Sequence, residues 1–333
     1  MPPFLISYIY FWGRMKKFFT KIIWFVILLL LLSIPLDIFL SKQLSQLRRA
    51  PGENEVWNSI YGERTNVDIA IYGSSRAWVH INPEIISEAT GRSTYNYGMD
   101  GHNFWLQYLR HVELLKHQST PKVIIHSLDV FTLQKVKGLY GMDQFLPYML
   151  WNTNMREYTS SYEGYHLWDY YIPLVRYYGK RTLLTKSLKS FIKKTPYKPY
   201  RNNGYRAMDV SWNEDFKKAK EQIKEYKIRL DSASVSLFEG YLQQCKQQKI
   251  EVVLVYTPEY IEGQGFIANR QGLIKYYDSI AHQFGIPFID YSKDSICYNK
   301  QYFYNATHLN QTGSMLLSQK LADTLSKVIA PLE

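Results

Sequence analysis

Hydrophobic positions fall into three regimes along the chain. The first is a continuous apolar run from Ile22 to Leu36 with no charge, extending to Leu40 if Asp37 lies at an interface. A helix needs about 20 apolar residues to cross a bilayer, so residues 22–40 predict a transmembrane anchor. Residues 1–21 precede it as a basic segment with Arg14, Lys16, Lys17 and Lys21. That bias favours a cytoplasmic amino end and an extracytoplasmic main domain. A cleaved signal peptide is the competing reading. No small-x-small site follows the run, which favours an uncleaved anchor. Residues 41–66 are polar, with Pro51 and Gly52, and read as a stalk with some helix.

In the second regime, short apolar runs alternate with helical periodicity. Strands are expected at 68–72, 93–97, 122–127, 251–256 and 286–290. Helices are expected at 82–89, 103–117, 271–284 and 311–329, with one long or two joined helices over 216–248. Pro83 suits a first helical turn. Short apolar strands alternating with helices predict a parallel sheet covered on both faces, hence an α/β domain over 67–333. Ligands normally sit at the carboxyl ends of such strands.

The third regime, about 136–206, breaks the alternation and reads as an insertion. It holds 12 of the chain's 29 tyrosines. Between Arg176 and Arg206 it carries ten basic residues and no acidic one. Leu184, Leu188 and Phe191 recur at helical spacing, with Lys186, Lys189 and Lys193 on another face. Such a helix can lie on an anionic membrane surface or be a solvated face packed on the domain. The tyrosines suit stacking on sugar rings or plain burial.

Composition narrows the classes further. The formal net charge of +11 makes a polyanion or an anionic membrane a natural neighbour. The expected anchor argues against a nucleic-acid role. Cys245 and Cys297 form no disulfide framework and read as core thiols. No His, Cys or carboxylate spacing indicates a metal, and no phosphate-cradling glycine motif follows a strand, so no cofactor is expected.

The candidate chemistry sits at the two ends of the domain. Val67 to Tyr72 runs into Gly73-Ser74-Ser75-Arg76, a context that exposes a serine hydroxyl at a sheet edge. Near the end, Tyr304-Asn305-Ala306-Thr307-His308 places a histidine before the final helix. A serine hydroxyl needs a base to become a nucleophile, and a histidine with an ordinary pKa near 6.5 serves at neutral pH. The developing oxyanion needs preorganised donors.

These motifs resemble those of the SGNH/GDSL hydrolase superfamily. The resemblance implies a flavodoxin-like three-layer α/β sandwich and serine-dependent acyl transfer. Ser75 matches the nucleophile of the Gly-Asp-Ser motif, with Ser74 in place of the aspartate. Gly98, within Asn96-Tyr97-Gly98, matches the oxyanion glycine, and His308 matches the base of Asp-x-x-His. Asn305 replaces that motif's acid, which implies a slow enzyme or recruitment of Asp129 or Asp290. The Gly-x-Asn-Asp motif has no match, and Asn103 is the substitute donor. Arg76 reads as an anion contact or, preferably, an ion pair. His126 reads as a packed histidine, and His80 and His102 as loop histidines beside the site. The anchored architecture is similar to superfamily members that handle D-alanyl or acetyl groups on exported polymers. It implies an esterase or O-acyltransferase acting on a cell-envelope glycan. The alternative is a catalytically inactive scaffold of polysaccharide assembly that keeps the fold.

Overall fold

The computed structural model describes residues 3–47, 52–62, 65–138, 140–193, 199–213, 215–222 and 225–329. Its elements run α1 (Pro3–Ser45), α2 (Glu53–Tyr61), β1 (Ile69–Tyr72), α3 (Ser75–His80), α4 (Pro83–Thr90), β2 (Thr94–Asn96), α5 (Phe104–His117) and β3 (Val123–Leu128). The region expected as an insertion contributes α6 (Thr153–Thr159), α7 (Arg181–Ile192) and several single 3₁₀ turns. Then follow α8 (Asp215–Gln222), α9 (Ser232–Gln247), β4 (Glu251–Tyr256), α10 (Ile261–Gln264), α11 (Arg270–Phe284), β5 (Phe288–Asp290), β6 (Phe303–Asn305), β7 (His308–Leu309) and α12 (Gln311–Val328).

Five strands form one parallel sheet in the order β2-β1-β3-β4-β5. This is the flavodoxin-like order expected above. The chain winds one way from β1 to β2 and the other way from β3 onward. The crevice for a ligand therefore lies at the carboxyl ends of β1 and β3. Alternation along the strands sorts two cores. Ala70, Tyr72, Ile124, Leu254 and Tyr256 face a layer built from α2, α5, α9 and α11. Ile69, Ile71, Ile125, Val253 and Val255 face α4 and α12 through Ile86, Leu317, Leu321 and Leu325. Each Val, Leu or Ile among these, fully buried, contributes roughly 1.5–3 kcal/mol.

Of the two forms expected for 216–248, the structure takes the second, two helices, α8 and α9, and Tyr226 between them bridges to Ile267. One segment differs from the sequence expectation. Residues read as a stalk fold instead into α2, whose Glu53, Val56, Trp57 and Ile60 are buried. Pro51, Arg48 and Arg49 lie outside the described residues. Polar α2 residues are buried because distant cations meet them. Glu53 pairs with Arg110 at 2.6 Å and with Arg201, and accepts the Asp100 N–H at 2.8 Å. Burial pushes the Glu53 carboxyl up, but Arg201 and Arg110 outweigh it and hold its pKa below the ordinary value. Both arginines also donate to the Gly98 carbonyl, at 3.2 Å and 2.8 Å. The supposed stalk thus props the loop after β2.

Helix α1 is long and apolar enough to cross a membrane. At about 1.5 Å per residue its 43 residues extend about 65 Å. Its far end is fastened to the domain. Asp37 accepts both Arg176 terminal nitrogens, at 2.8 and 2.6 Å, and the Leu174 N–H at 2.7 Å. Ser41 Oγ meets the Tyr177 hydroxyl at 2.6 Å. Cys245 and Cys297 are both buried and free.

Replacing Glu53 by alanine strands two buried guanidinium groups, and the expected loss of stability is roughly 3–5 kcal/mol. Lys122→Ala, which breaks the exposed 3.2 Å pair with Asp68, should cost under about 1 kcal/mol. Denaturant unfolding of the two variants checks the contrast.

Candidate active site

Gly73 makes the turn from β1 into α3. Its φ is +141°, and a Cβ there would stand 2.6 Å from the Ser127 carbonyl oxygen and 2.9 Å from the Ala77 Cβ. No other residue fits that turn without displacing β3. The turn leaves Ser74 as the N-cap and Ser75 as the first residue of α3, a position whose N–H the helix itself does not use. Ser74 Oγ accepts the Arg76 N–H and donates to Asp129 Oδ2 at 2.5 Å. Ser74 thus fastens the turn to the end of β3.

Ser75 Oγ lies 2.7 Å from His308 Nε2. The two residues are 233 positions apart and meet because β7 passes beside α3 at the sheet's carboxyl edge. Behind the ring, Asn305 Oδ1 accepts the backbone N–H groups of Thr307 at 3.0 Å and of His308 at 2.9 Å. Two N–H donors fix that atom as the amide's oxygen. The same Oδ1 stands 3.0 Å from His308 Nδ1. Oxygen can only accept, so Nδ1 carries the proton. The bare lone pair is then on Nε2, facing the serine hydroxyl. Thr307 Oγ1 adds a second contact to Nδ1 at 3.1 Å.

Burial, then the Arg76 charge, pushes the His308 pKa down to about 4, against a small opposing pull from Glu259. The imidazole is neutral at pH 7 and available as a base. Among the described residues no carboxylate hydrogen-bonds to the ring. Asp129 serves Ser74 and the Phe131 N–H, and Asp290 serves Ser292. Neither replaces Asn305 behind the ring.

A second histidine positions the first. Leu309 N–H donates to His80 Nε2 at 3.0 Å, which puts the His80 proton on Nδ1, 3.0 Å from Thr257 Oγ1. Burial, with Arg76 and His308, holds His80 far below its ordinary pKa, so it stays neutral. Arg76 donates to Thr257 Oγ1 at 3.1 Å and pairs with Glu259 at 2.8 Å, and Glu259 also takes Arg270 at 2.9 Å. This buried cluster ties α3, the end of β4 and β7 together. Arg76 borders the pocket, but its guanidinium is occupied within the chain.

A pocket of about 290 Å³ opens beside the pair, lined by Ser74, Ser75, Arg76, Gly101, His102, Asn103, Asp129 and Thr307, with Phe131 and Val136 at its rim. Gly98 does not line it. Its N–H donates to Asn96 Oδ1 at 2.9 Å, and a Cβ there would lie 2.6 Å from the Trp78 nitrogen. Gly98 therefore permits close packing of its loop on α3, a correction to its expected role as oxyanion donor. Asn103 does reach the pocket. Its Oδ1 is buried without a hydrogen-bond partner among the described residues. An amide with no fixed partner can turn Nδ2 toward an oxyanion.

His80 and His102 are not surface-loop residues; both are buried. His102 accepts from Gln144 Nε2 at 3.0 Å, and burial pushes its pKa down to about 4. His126 is buried in the core, as expected, 3.0 Å from Gln107 Oε1. Thr257, Glu259 and Thr307 escaped the sequence reading. The signal for the first two was their place just past the carboxyl end of β4.

No family model matches the chain, and no curated protein matches it in sequence. Solved structures are similar to it. One described as a GDSL-like lipase from Bacteroides thetaiotaomicron is 12% identical, with a TM-score of 0.41 over 84% of this chain and 99% of that one. One assigned to the lipolytic G-D-S-L family, from Desulfitobacterium hafniense, is 11% identical, with a TM-score of 0.36 over 78% and 99%. One assigned as an acylhydrolase, from Bacteroides fragilis, is 12% identical, with a TM-score of 0.34 over 78% and 86%.

Any rate that depends on neutral His308 should stay level from pH 8 to about 5 and fall as pH drops through about 4. A limb near 6.5 would contradict the buried, neutral ring. Asn305→Asp should move that limb upward and raise turnover, because a carboxylate stabilises the imidazolium that the amide only orients; the gain should fall short of the ~10⁴ lost in a serine triad, where the amide also sets the wrong tautomer. Both are read from the pH dependence of ester hydrolysis.

Proposed function

We propose that this chain is a membrane-anchored, SGNH-like serine enzyme that moves a short acyl group on an extracytoplasmic glycan. The observation that carries the reading is the Ser75 Oγ to His308 Nε2 contact of 2.7 Å, with the ring tautomer set by Asn305. His308 takes the Ser75 proton as Oγ attacks the ester carbonyl. The oxyanion is held by the Ser75 N–H and by Asn103. His308 then protonates the leaving alkoxide, and an acyl-Ser75 remains. Water or a sugar hydroxyl, deprotonated by the same ring, releases the acyl group as acid or as new ester.

Size favours a short acyl group. A pocket of about 290 Å³ falls at or below the lower end of the range for drug-sized ligands, so the polymer stays outside while its acyl substituent enters. The formal net charge of +11 suits an anionic polymer. Helix α1 supplies the anchor, with residues 1–21 cytoplasmic and the α/β domain outside. The amide at Asn305 favours a second reading, a scaffold that keeps the fold with little turnover.

Detergent-solubilised protein treated with a fluorophosphonate should be labelled at Ser75. Labelling should vanish in Ser75→Ala and fall sharply in His308→Ala. Asn103→Ala should cost about 10²–10³ in hydrolysis of a short-chain aryl ester, the usual loss of one oxyanion donor. A folded protein that takes no label supports the scaffold and ends the enzyme reading.

A further inference from the structure

The part of the insertion that clasps α1 leaves a band of apolar side chains open to solvent. Trp168 is 60% exposed, Tyr178 91%, Leu188 50% and Ile192 67%. Exposed apolar residues gathered in one place mark a contact surface. Their position names the partner. Phe39 of α1 packs edge-on against Phe191 of α7 at 5.3 Å between ring centres. The Asp37–Arg176 pair fixes the 174–177 turn to the same level of α1. That level is where the uncharged run of α1 ends.

Helix α7 is divided by face. Leu183 and Ser187 are buried, Leu188, Phe191 and Ile192 are exposed beside them, and Arg181, Lys186, Lys189 and Lys193 are exposed and basic. A groove of about 830 Å³ runs between α1 and this region, walled by Leu36, Leu40, Leu146, Leu174 and Leu184. Leu36 closes the uncharged run of α1 and Leu40 lies one turn beyond it, so on the anchor reading the groove sits at the membrane boundary.

We propose that residues 167–192 form a second membrane contact: a collar around the outer end of α1 that sinks its apolar edge into an anionic leaflet. This rests on the anchor reading. Trp168 and Tyr178 are the residue types that settle at headgroup level, and the α7 cations meet lipid phosphates. The two regions are close in sequence, since Val136 rims the Ser75 pocket while Met142 and Leu146 line the groove. The collar therefore holds the catalytic mouth at a set height above the bilayer.

The test is nitroxide depth measurement on the full chain in liposomes containing anionic lipid. Cys245 and Cys297 are buried, so labels go to introduced thiols alone. Single cysteines replace Leu29 in α1, Trp168, Leu188 and Ile192 in the collar, and exposed Lys327 in α12 on the opposite face of the sheet. Oxygen access should exceed nickel-chelate access at 29, 168, 188 and 192, with the collar sites about 5–10 Å deep, and the reverse should hold at 327. Lipid contact at 29 with water-like values at 168, 188 and 192 overturns the collar alone. Water-like values at 29 overturn the anchor and the collar together.

Discussion

Asn305 Oδ1 is crowded by three N–H donors: two from the backbone of its own turn and one from the His308 ring. The chemistry of the site follows from that crowding. Because the amide oxygen is fixed, Nδ1 must hold the proton and Nε2 must be the base. An aspartate would accept the same three donors and add a charge. The amide keeps the orientation and gives up the stabilisation of the imidazolium. Desolvation and the nearby Arg76 charge both favour the neutral ring. In the enzyme proposed above, catalysis would lean on preorganised donors around the oxyanion rather than on a charged relay.

The fold supplies that preorganisation from its two ends. Ser75 is set by the β1–α3 turn, at the point where the winding of the sheet reverses. His308 is set by the β6–β7 turn, and His80 fastens that turn to α3 and β4 through Leu309 and Thr257. The loop after β2 is braced from below by Glu53, Arg110 and Arg201. Ser75 and His308 thus each rest on a strand end and a buried polar contact, an arrangement that resists misplacement. The Asp37–Arg176 pair extends the same logic outward by fastening α1 to the domain.

Local signals made much of this legible in the sequence. Five strands were visible as short apolar runs. The Gly73-Ser74-Ser75 turn and the Asn305 to His308 segment were visible as motifs at strand edges. What escaped was every feature that depends on a distant partner. The polar composition of 53–61 reads as a stalk until Arg110 and Arg201, 57 and 148 positions away, neutralise Glu53. Gly98 reads as an oxyanion donor until Asn96 is seen to occupy its N–H. Thr257 and Glu259 carry no motif, and only their meeting with Arg76 and His80 gives them a role.

The central claim is a tautomer held by an amide. Nitrogen NMR of the protein labelled with ¹⁵N in its histidine rings reads it directly. At pH 7 the His308 signal, assigned by its loss in His308→Gln, should show a protonated Nδ1 and a bare Nε2, unchanged until pH nears about 4. A proton on Nε2, or titration near the ordinary value of about 6.5, would contradict the account.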